Sequence, residues 1–232
     1  MTKISKNRKT ALSLLDRSSF YSLEKSFELV KKMAFTKFKQ FESIDIAVKL
    51  GIDPRKSDQM VRSSVLLPAG TGKNVRIAVF AEGDLAIIAK NAGADLVGME
   101  DLVTQIKSGI LDFDVVVATP DAMKVVGKLG MILGPRGLMP NPKVGTVTTE
   151  IEKTIKNIKL GQISYRSDKT GIVHCKIGNV SFAVKDLSSN VNALVIDLKK
   201  RRPINAKGIY IKKMVISSTM GPGVNVDINT LV

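Results

Sequence analysis

The sequence is poor in the residues that disulfides and zinc sites require. Its 232 residues include one cysteine, Cys175, one histidine, His174, and no tryptophan. A single cysteine excludes an intramolecular disulfide, which fits a reducing compartment such as the cytoplasm. Adjacent Cys and His residues on a strand point to opposite faces and cannot form a zinc cluster, so zinc chemistry is excluded as well.

Long hydrophobic runs are also missing. No apolar run reaches the ~20 residues that a membrane-spanning helix needs. Residues 1–10 are basic, and no apolar stretch of the kind found in secretory signals follows them. Hydrophobic residues still make up 44% of the chain, which is enough for a packed core. We therefore expect a globular cytoplasmic protein with no membrane partner.

Complete catalytic and nucleotide-binding motifs are absent. Residues 70–73 resemble part of a phosphate loop, but Leu67 and Asn74 stand where that motif needs a glycine and a hydroxyl residue. Val75 stands where a dinucleotide fingerprint needs its last glycine. The sequence also has no Gly-X-Ser-X-Gly nucleophile elbow. An enzyme is therefore the disfavoured class, and we expect no cofactor and no metal.

Positive charge is what the chain has in excess. It holds 36 Lys+Arg against 21 Asp+Glu, which gives a formal net charge of +15. Such an excess usually indicates that a protein binds a polyanion. Residues 1–67 hold 14 Lys+Arg and 7 Asp+Glu, residues 68–159 hold 11 and 10, and residues 160–232 hold 11 and 4. This distribution predicts a discontinuous basic domain of residues 1–67 plus 160–232, interrupted by an inserted domain of residues 68–159.

Hydrophobic periodicity predicts both helices and strands in the basic segments. Leu23, Phe27, Val30 and Ala34 recur at helical spacing and predict a helix that faces the core. Strict alternation over residues 44–50 predicts a half-buried strand. These two elements give the first basic segment a mixed α and β character.

The second basic segment begins with a predicted β-hairpin. Ile163 and Tyr165 precede a turn at residues 168–171, and an apolar stretch over residues 172–177 follows it. Residues 187–198 then show the spacing of an amphipathic helix.

The last strand of this segment ends abruptly. Ile209, Ile211, Val215 and Ile216 predict a largely buried strand, and residues 219–223, TMGPG, predict a tight turn after it. The turn offers a hydroxyl, an apolar side chain and exposed amides within a few residues. A ligand can therefore approach its backbone closely.

The middle segment has a different hydrophobic pattern. Short apolar strands alternate with helical stretches, which predicts a small α/β sandwich with a largely parallel sheet. The strands are predicted at residues 75–80, 96–97 and 114–118. Residues 130–143 are too rich in glycine and proline for regular structure, so we predict a shaped loop there.

Residues 129–146, LGMILGPRGLMPNPKVGT, closely resemble the signature of the universal L-one family of large-subunit ribosomal proteins, in its bacterial form. Further stretches resemble bacterial members in the same order, at residues 50–59, 112–121, 168–171 and 219–222. The resemblance extends over nearly the whole chain. It implies an α/β fold, with an α+β first domain of split β-α-β topology made from both chain ends and an inserted three-layer α/β second domain.

The resemblance also implies a function and a set of partners. Members of the family bind large-subunit (23S) rRNA and form the mobile side stalk beside the E site. They assist the release of deacylated tRNA and repress translation of their own operon mRNA. The implied partners are therefore large-subunit rRNA, E-site tRNA, the chain's own operon mRNA and other ribosomal components, with no small-molecule substrate.

The resemblance carries particular RNA contacts onto this chain. They are Lys37, Phe38, Arg166, Asp168, Lys169, Thr170, Thr219, Met220 and Gly221. The cations can neutralise phosphate, Thr219 and the amides after it can bond ribose hydroxyls, and the two apolar side chains can pack on sugar or base faces. Core packing is the competing interpretation for Phe38, and turn formation is the competing interpretation for Asp168.

The chain departs from the family pattern at a few positions. Lys39, Gln40 and Phe41 replace a small hydroxyl residue and acidic neighbours, Ser63 replaces a glycine and Ala69 a histidine. Two other functions remain open. The neutral middle segment and its glycine-rich loops fit an α/β enzyme acting on a phosphorylated small molecule, and the charge alone fits a DNA-binding regulator.

Overall fold

The computed structural model of the protein describes residues 5–36, 38 and 41–228. Its α-helices are α1 (Lys6–Ser13), α2 (Leu23–Met33), α3 (Asp84–Asn91), α4 (Glu100–Lys107), α5 (Met123–Val126), α6 (Gly130–Leu133), α7 (Ile151–Leu160) and α8 (Val184–Lys200). Its strands are β1 (Ser43–Leu50), β2 (Arg62–Leu66), β3 (Ile77–Phe80), β4 (Leu96–Gly98), β5 (Val115–Ala118), β6 (Gln162–Arg166), β7 (Ile172–Asn179), β8 (Ile211–Ser218) and β9 (Val224–Val226). Short 3₁₀ turns lie at Ser57–Gln59, Gly127–Leu129 and Pro142–Val144. This mixture of helices and sheets confirms the predicted α/β class.

The chain forms two compact units. The first combines Met1–Gly72 with Gly161–Val232, and the second is Lys73–Leu160. The first unit is therefore discontinuous in sequence, and the second is a continuous segment between its two parts.

Hydrogen bonds explain why the second unit begins at Lys73 and not at Pro68, where the change in charge begins. Asn190 of α8 is fully buried, and its side-chain oxygen accepts the backbone N–H of Ala69 at 3.0 Å. Its side-chain nitrogen donates to the carbonyl of Gly70 at 3.1 Å. These bonds hold the segment after Pro68 on the first unit.

The first unit is built on a four-stranded antiparallel sheet of order β7-β1-β8-β9. Along β1, Ile44, Ile46, Val48 and Leu50 are buried in one core with side chains of α2 and α8. The side chains at positions 43, 45, 47 and 49 alternate with them and are half-buried or exposed. We call the side of the sheet that they share the open face.

The predicted β-hairpin across residues 163–177 is wrong. β6 pairs with β2 in a separate two-stranded sheet, and β7 pairs with β1. The reason lies at Ser167, whose backbone N–H donates to the carbonyl of Val61 at 2.9 Å while its hydroxyl accepts the N–H of Val61 at 3.2 Å. A single antiparallel bridge from Ser167 to Val173 connects the two sheets.

The β2–β6 pair packs one face on α8. Ser63 and Tyr165 lie opposite each other and are both buried. The hydroxyl of Tyr165 donates to Oδ2 of Asp197 at 2.5 Å, and burial together with this carboxylate raises the pKa of Tyr165. Because side chains alternate along a strand, the neighbouring Arg62 and Arg166 face the opposite side.

The last long strand is shorter than predicted. Ile209 is 76% exposed and lies outside the sheet, because β8 begins at Ile211. The pairing of β8 with β1 shifts register just before Leu50, which pairs with Ile211. The sequence pattern missed two core positions in this stretch, Tyr210, which is buried, and Met214, which is fully buried.

The second unit has three layers. Its sheet is parallel, with the order β4-β3-β5. Along β3, Ala78 and Phe80 pack with side chains of α4, α5 and α6, and the alternating Ile77 and Val79 pack with side chains of α3 and α7. The helices therefore cover both faces of a short parallel sheet, as the alternating pattern predicts.

The prediction of an irregular loop over residues 130–143 is wrong at both ends of that segment. Residues 130–133 form the short helix α6, and a 3₁₀ turn begins at Pro142. Leu129 and Leu133 are both fully buried at helical spacing, and they pack this turn into the core of the unit. Met131, which lies between them, is 92% exposed.

Candidate RNA-binding surface

The turn after β8 is tied to the start of β1 through Thr219. Its hydroxyl accepts the backbone N–H of Ser43 at 3.2 Å and lies 3.1 Å from the hydroxyl of Ser43. The Ser43 hydroxyl donates to Oδ2 of Asp45 at 2.6 Å, so the Thr219 hydroxyl donates its proton to an oxygen of Ser43, either the hydroxyl at 3.1 Å or the carbonyl at 3.4 Å. Because a hydroxyl oxygen has two lone pairs, Thr219 keeps one acceptor site for a ligand.

The next two residues give this turn its shape and its apolar contact. Met220 is 58% exposed. Gly221 donates its backbone N–H to the carbonyl of Ser218 at 3.3 Å, and a Cβ atom at position 221 would lie 2.5 Å from Oγ of Ser218. Only glycine fits this close approach without a shift of Ser218, which is itself buried.

Phe38 lies in a tight turn just before β1. Its carbonyl accepts the N–H of Phe41 at 2.8 Å and the N–H of Glu42 at 3.1 Å. Glu42 is fully buried and accepts the hydroxyl of Thr36 at 2.5 Å, which anchors the end of the turn. Phe38 is 52% exposed, so it is not a core residue. Lys37, the predicted phosphate contact beside it, lies outside the described residues.

Asp168 builds the turn between β6 and β7. Its Oδ1 accepts the N–H of Ile172, the N–H of Thr170 and the hydroxyl of Thr170, each at 2.8 Å. These bonds, with that from Ile172 the strongest, lower the pKa of Asp168 to about 2. Asp168 and Thr170 therefore bond each other. Turn formation explains the carboxylate at position 168.

The cations around this turn point to solvent. Lys169 is exposed at its tip. Arg166, at the end of β6, is also exposed and lies directly opposite Arg62 of β2. His174 Nε2 lies 3.6 Å from Oδ2 of Asp168. The turn therefore presents basic side chains while its carboxylate is engaged internally.

The predicted contacts fall into two groups at opposite ends of β1. Phe38, Thr219, Met220 and Gly221 lie beside Ser43, and we call this group the Thr219 end. Arg166, Asp168, Lys169 and Thr170 lie beside Leu50, whose N–H donates to the carbonyl of Gly171 at 2.9 Å, and we call this group the Asp168 end. At ~3.3 Å per residue, the strand between them is about 23 Å long.

The two ends differ in chemistry. The described residues of the Thr219 end offer exposed apolar side chains and a hydroxyl. Those of the Asp168 end offer cations. A ligand that spans both therefore needs apolar faces, hydroxyl groups and negative charge, which is the combination found in folded RNA.

Comparison with known proteins decides the family. A sequence model described as the ribosomal protein L1p/L10e family matches residues 30–222, which is most of the chain. The chain belongs to this family.

Relatives named large ribosomal subunit protein uL1 are similar over the whole chain. The Bordetella pertussis protein is 57% identical over 231 residues, which cover 100% of this chain and 99% of the relative. The Dechloromonas aromatica protein is 56% identical over 232 residues and 100% of both chains. The Alkalilimnicola ehrlichii protein is 55% identical over 231 residues, with 100% and 99% covered.

Membership of the L1p/L10e family makes this chain a ribosomal protein and not an enzyme. The alternative of an α/β enzyme acting on a phosphorylated small molecule is therefore rejected. In the part of the chain that the structure describes, no helix combines the length and the apolar character that crossing a bilayer requires.

Two residues at this L1 surface were not predicted from the sequence, Phe41, which is exposed, and Arg62, which is half-buried. Phe41 is 75% exposed in the same turn as Phe38, although the sequence pattern marks it only as a departure from the family. Arg62 becomes relevant only through its register opposite Arg166. Aromatic residues interleaved with cations at positions 37–41 are the signal that could have indicated Phe41, whereas no local signal indicates Arg62.

The other two departures have structural roles in the first unit. Ser63 is buried opposite Tyr165, on the face of the β2–β6 pair that packs on α8. Ala69 is half-buried and held through its N–H by Asn190. Neither side chain belongs to the Thr219 end or the Asp168 end.

Proposed function

We propose that this chain is a structural constituent of the large ribosomal subunit and binds large-subunit rRNA through its first unit. The Thr219 end carries the proposal, because Ser43 holds Thr219 in place while an acceptor lone pair, Met220 and Phe38 remain available. Ribose hydroxyls and unstacked bases are the RNA groups that such a site recognises. The cations at the Asp168 end supply contacts to phosphates.

The proposal includes the two further roles of the family. The same surface binds a similar fold in the chain's own operon mRNA and represses its translation, so rRNA and mRNA compete for one site. The second unit approaches E-site tRNA and assists its release. Arg136 and Lys143, both exposed in the segment of the signature, are the cations that we assign to that contact.

RNA-to-DNA competition tests the central part of this function. The full chain is bound to a fragment of the stalk rRNA and challenged with unlabelled RNA or with a DNA of the same sequence. We expect the RNA to compete and the DNA to fail, because the DNA lacks the 2′-hydroxyl groups that Thr219 recognises. Equal competition by DNA would contradict the proposal and favour the DNA-binding regulator.

Repression is tested separately with a translation reporter that carries the chain's own operon leader. We expect the full chain to lower reporter output, and an excess of the stalk rRNA fragment to relieve the repression. A control RNA of equal length, with the loops of the stalk closed by base pairs, should not relieve it. Repression that persists in the presence of the rRNA fragment would contradict a shared site.

A further inference from the structure

Cations lie directly opposite cations at two places in the first unit. Lys49 of β1 pairs in register with Lys213 of β8, and both side chains are exposed. Arg62 of β2 pairs in register with Arg166 of β6. Like charges in directly opposed positions destabilise a sheet, so neither arrangement is explained by folding.

The four cations have no acidic partner within the described part of the chain. The ion pairs there, at N···O distances of up to 4.0 Å, involve other residues. Asp168, in the turn at this end of the sheet, accepts bonds from the turn itself and lies 3.6 Å from His174. The repulsion within each pair is therefore not relieved by an ion pair.

Both pairs point away from the core of the first unit. Val48 and Met214, which neighbour Lys49 and Lys213, are buried, so both lysines lie on the open face. For the arginines, the neighbouring Ser63 and Tyr165 are buried, and Tyr165 belongs to the same core as Val48 and Met214, so the arginines also point away from that core.

The pairs also lie in one row. Lys49 is next to Val48, which pairs with Val173 of β7, and Val173 is bridged to Ser167, the residue after Arg166. The row therefore crosses the ends of β8, β1, β7, β6 and β2 in that order. At ~4.8 Å between neighbouring strands it is about 19 Å long.

We propose that Lys213, Lys49, Arg166 and Arg62 form a phosphate-binding row that runs from the open face onto the β2–β6 pair, beside the Asp168 turn, and contacts the backbone of the bound RNA. The proposal rests on the RNA-binding function proposed above and adds three residues, Arg62, Lys49 and Lys213, to its surface. Bound phosphates take the place of acidic partners, so the repulsion between the opposed cations is relieved only in the complex. RNA binding then includes a large salt-dependent part that is localised at this end of the sheet.

Reversal of one charge separates this role from a structural one. Lys49→Glu converts the opposed lysines into an ion pair, so the variant should melt at a higher temperature than the wild-type chain while it binds RNA less well. A residue with a merely structural role would change stability without this loss of affinity. Lys25→Glu is the matched control, because Lys25 is exposed on α2 of the same unit and its reversal changes the net charge equally.

The measurement is the affinity of the full chain for the stalk rRNA fragment over a series of salt concentrations. For Lys49→Glu we expect a slope of log affinity against log salt that is flatter by about 0.7 to 0.9 for the lost contact, and a loss of about fivefold or more near ~0.1 M salt relative to Lys25→Glu. Arg62→Gln, which removes charge without reversal, should flatten the slope by a similar amount. Equal affinities and slopes for Lys49→Glu and Lys25→Glu would overturn the row.

Met220→Asp, measured in parallel, separates this result from a failure of the proposed function. If Met220→Asp loses affinity while Lys49→Glu behaves as Lys25→Glu does, the RNA site stands and the row is wrong. If the wild-type chain itself does not bind the fragment, the proposed function fails and the row fails with it. A further outcome is that Lys49→Glu enters large subunits poorly while its RNA affinity is unchanged. That result would assign the row to an acidic protein partner and overturn the RNA assignment.

Discussion

Thr219 accepts the backbone N–H of Ser43 at 3.2 Å, and this bond joins the end of β8 to the start of β1. The contact brings together two stretches that are far apart in sequence, the turn that holds Phe38 and the turn that holds Met220. The hydroxyl adds to the pairing of Ser218 with Ile44, which already joins the two strands here, and it also supplies the proposed ribose contact.

Replacement of Thr219 tests both roles of the hydroxyl. Thr219→Val keeps the shape of the side chain but removes the acceptor for Ser43 and the ribose contact. We expect its affinity for the stalk rRNA fragment to fall by about 1 to 2 kcal/mol, the net worth of one or two hydrogen bonds. Thr219→Ser keeps the hydroxyl and should bind within about threefold of the wild-type chain, which corresponds to less than 1 kcal/mol. Equal binding by the Val and Ser variants would show that the hydroxyl has no role in recognition.

Gly221→Ala tests the close approach between the turn and Ser218. The added Cβ would lie 2.5 Å from Oγ of Ser218, so the turn must shift. We expect the free energy of unfolding to fall by about 1 to 3 kcal/mol, as in other overpacked sites, and RNA affinity to fall with it. Urea unfolding and RNA titration measure the two effects.

A second substitution identifies the cause. Oγ of Ser218 is buried and makes no hydrogen bond within the described part of the chain. Ser218→Ala alone should therefore be neutral or slightly stabilising. In the Ser218→Ala background, Gly221→Ala should recover most of the lost stability and affinity, because the clashing atom is gone. If the double variant is as defective as Gly221→Ala alone, the close contact is not the reason for the glycine.

The turn at Asp168 should respond to acid in a defined window. The pKa of Asp168 is lowered to about 2 by the backbone N–H of Ile172 and the Thr170 bonds, whereas an unfolded Asp titrates near ~3.9. The carboxylate therefore contributes stability that is fully present above about pH 4 and is lost as the pH falls toward about 2. The carboxyl carbon shift of Asp168, followed by NMR, measures this titration directly.

Asp168→Asn is the control for the acid response. The difference in the free energy of unfolding between the wild-type chain and this variant should shrink between about pH 4 and pH 2, and should be constant above that window. A wild-type Asp168 that titrates at its ordinary value would mean that the turn bonds do not form in solution.

The buried amide of Asn190 should be among the most sensitive positions of the first unit. It bonds the N–H of Ala69 and the carbonyls of Gly70 and Ile177. Asn190→Leu would leave these backbone groups without their partner, and each such group costs about 1 to 3 kcal/mol. We expect a loss of at least about 3 kcal/mol in the free energy of unfolding, measured by urea denaturation.

Asn192 supplies the matched control on the same helix. It is only half-buried, and Asn192→Leu should change stability by about 0.5 kcal/mol or less. A similar loss in both variants would show that leucine is poorly tolerated on α8 in general. Such a result would contradict the specific role of the Asn190 amide.

The parts of the surface that could be predicted from the sequence are those that depend on local chemistry. The turn at Gly221 follows from its glycines and proline, and the Asp168 turn follows from the preference of Asp for bonding backbone amides further along the chain. The alternation over β1 predicts which residues are buried. Each of these features is determined within a few residues.

The parts that were missed depend on pairing between distant segments. Nothing near Ser167 in sequence indicates that its backbone N–H and its hydroxyl both bond Val61. These bonds join the end of β6 to β2 and not to β7. The exposure of Ile209 follows from a register shift beside Leu50 of another strand. Register is set by the fold as a whole, so the opposed lysines and arginines could not be found from composition or local pattern.

Met220 provides the most direct test of the central claim, that the Thr219 end recognises large-subunit rRNA. The measurement compares the affinity of the full chain for the stalk rRNA fragment in three forms: wild type, Met220→Asp and Met131→Asp. Met131 is 92% exposed and belongs to the second unit, so its substitution makes the same change in charge and polarity at a residue outside the Thr219 end. We predict that Met220→Asp weakens binding by about tenfold or more, corresponding to about 1.4 kcal/mol, and that Met131→Asp binds as the wild type does. Unchanged binding by Met220→Asp, or a larger loss for Met131→Asp, would contradict the assignment of RNA recognition to this end of the first unit.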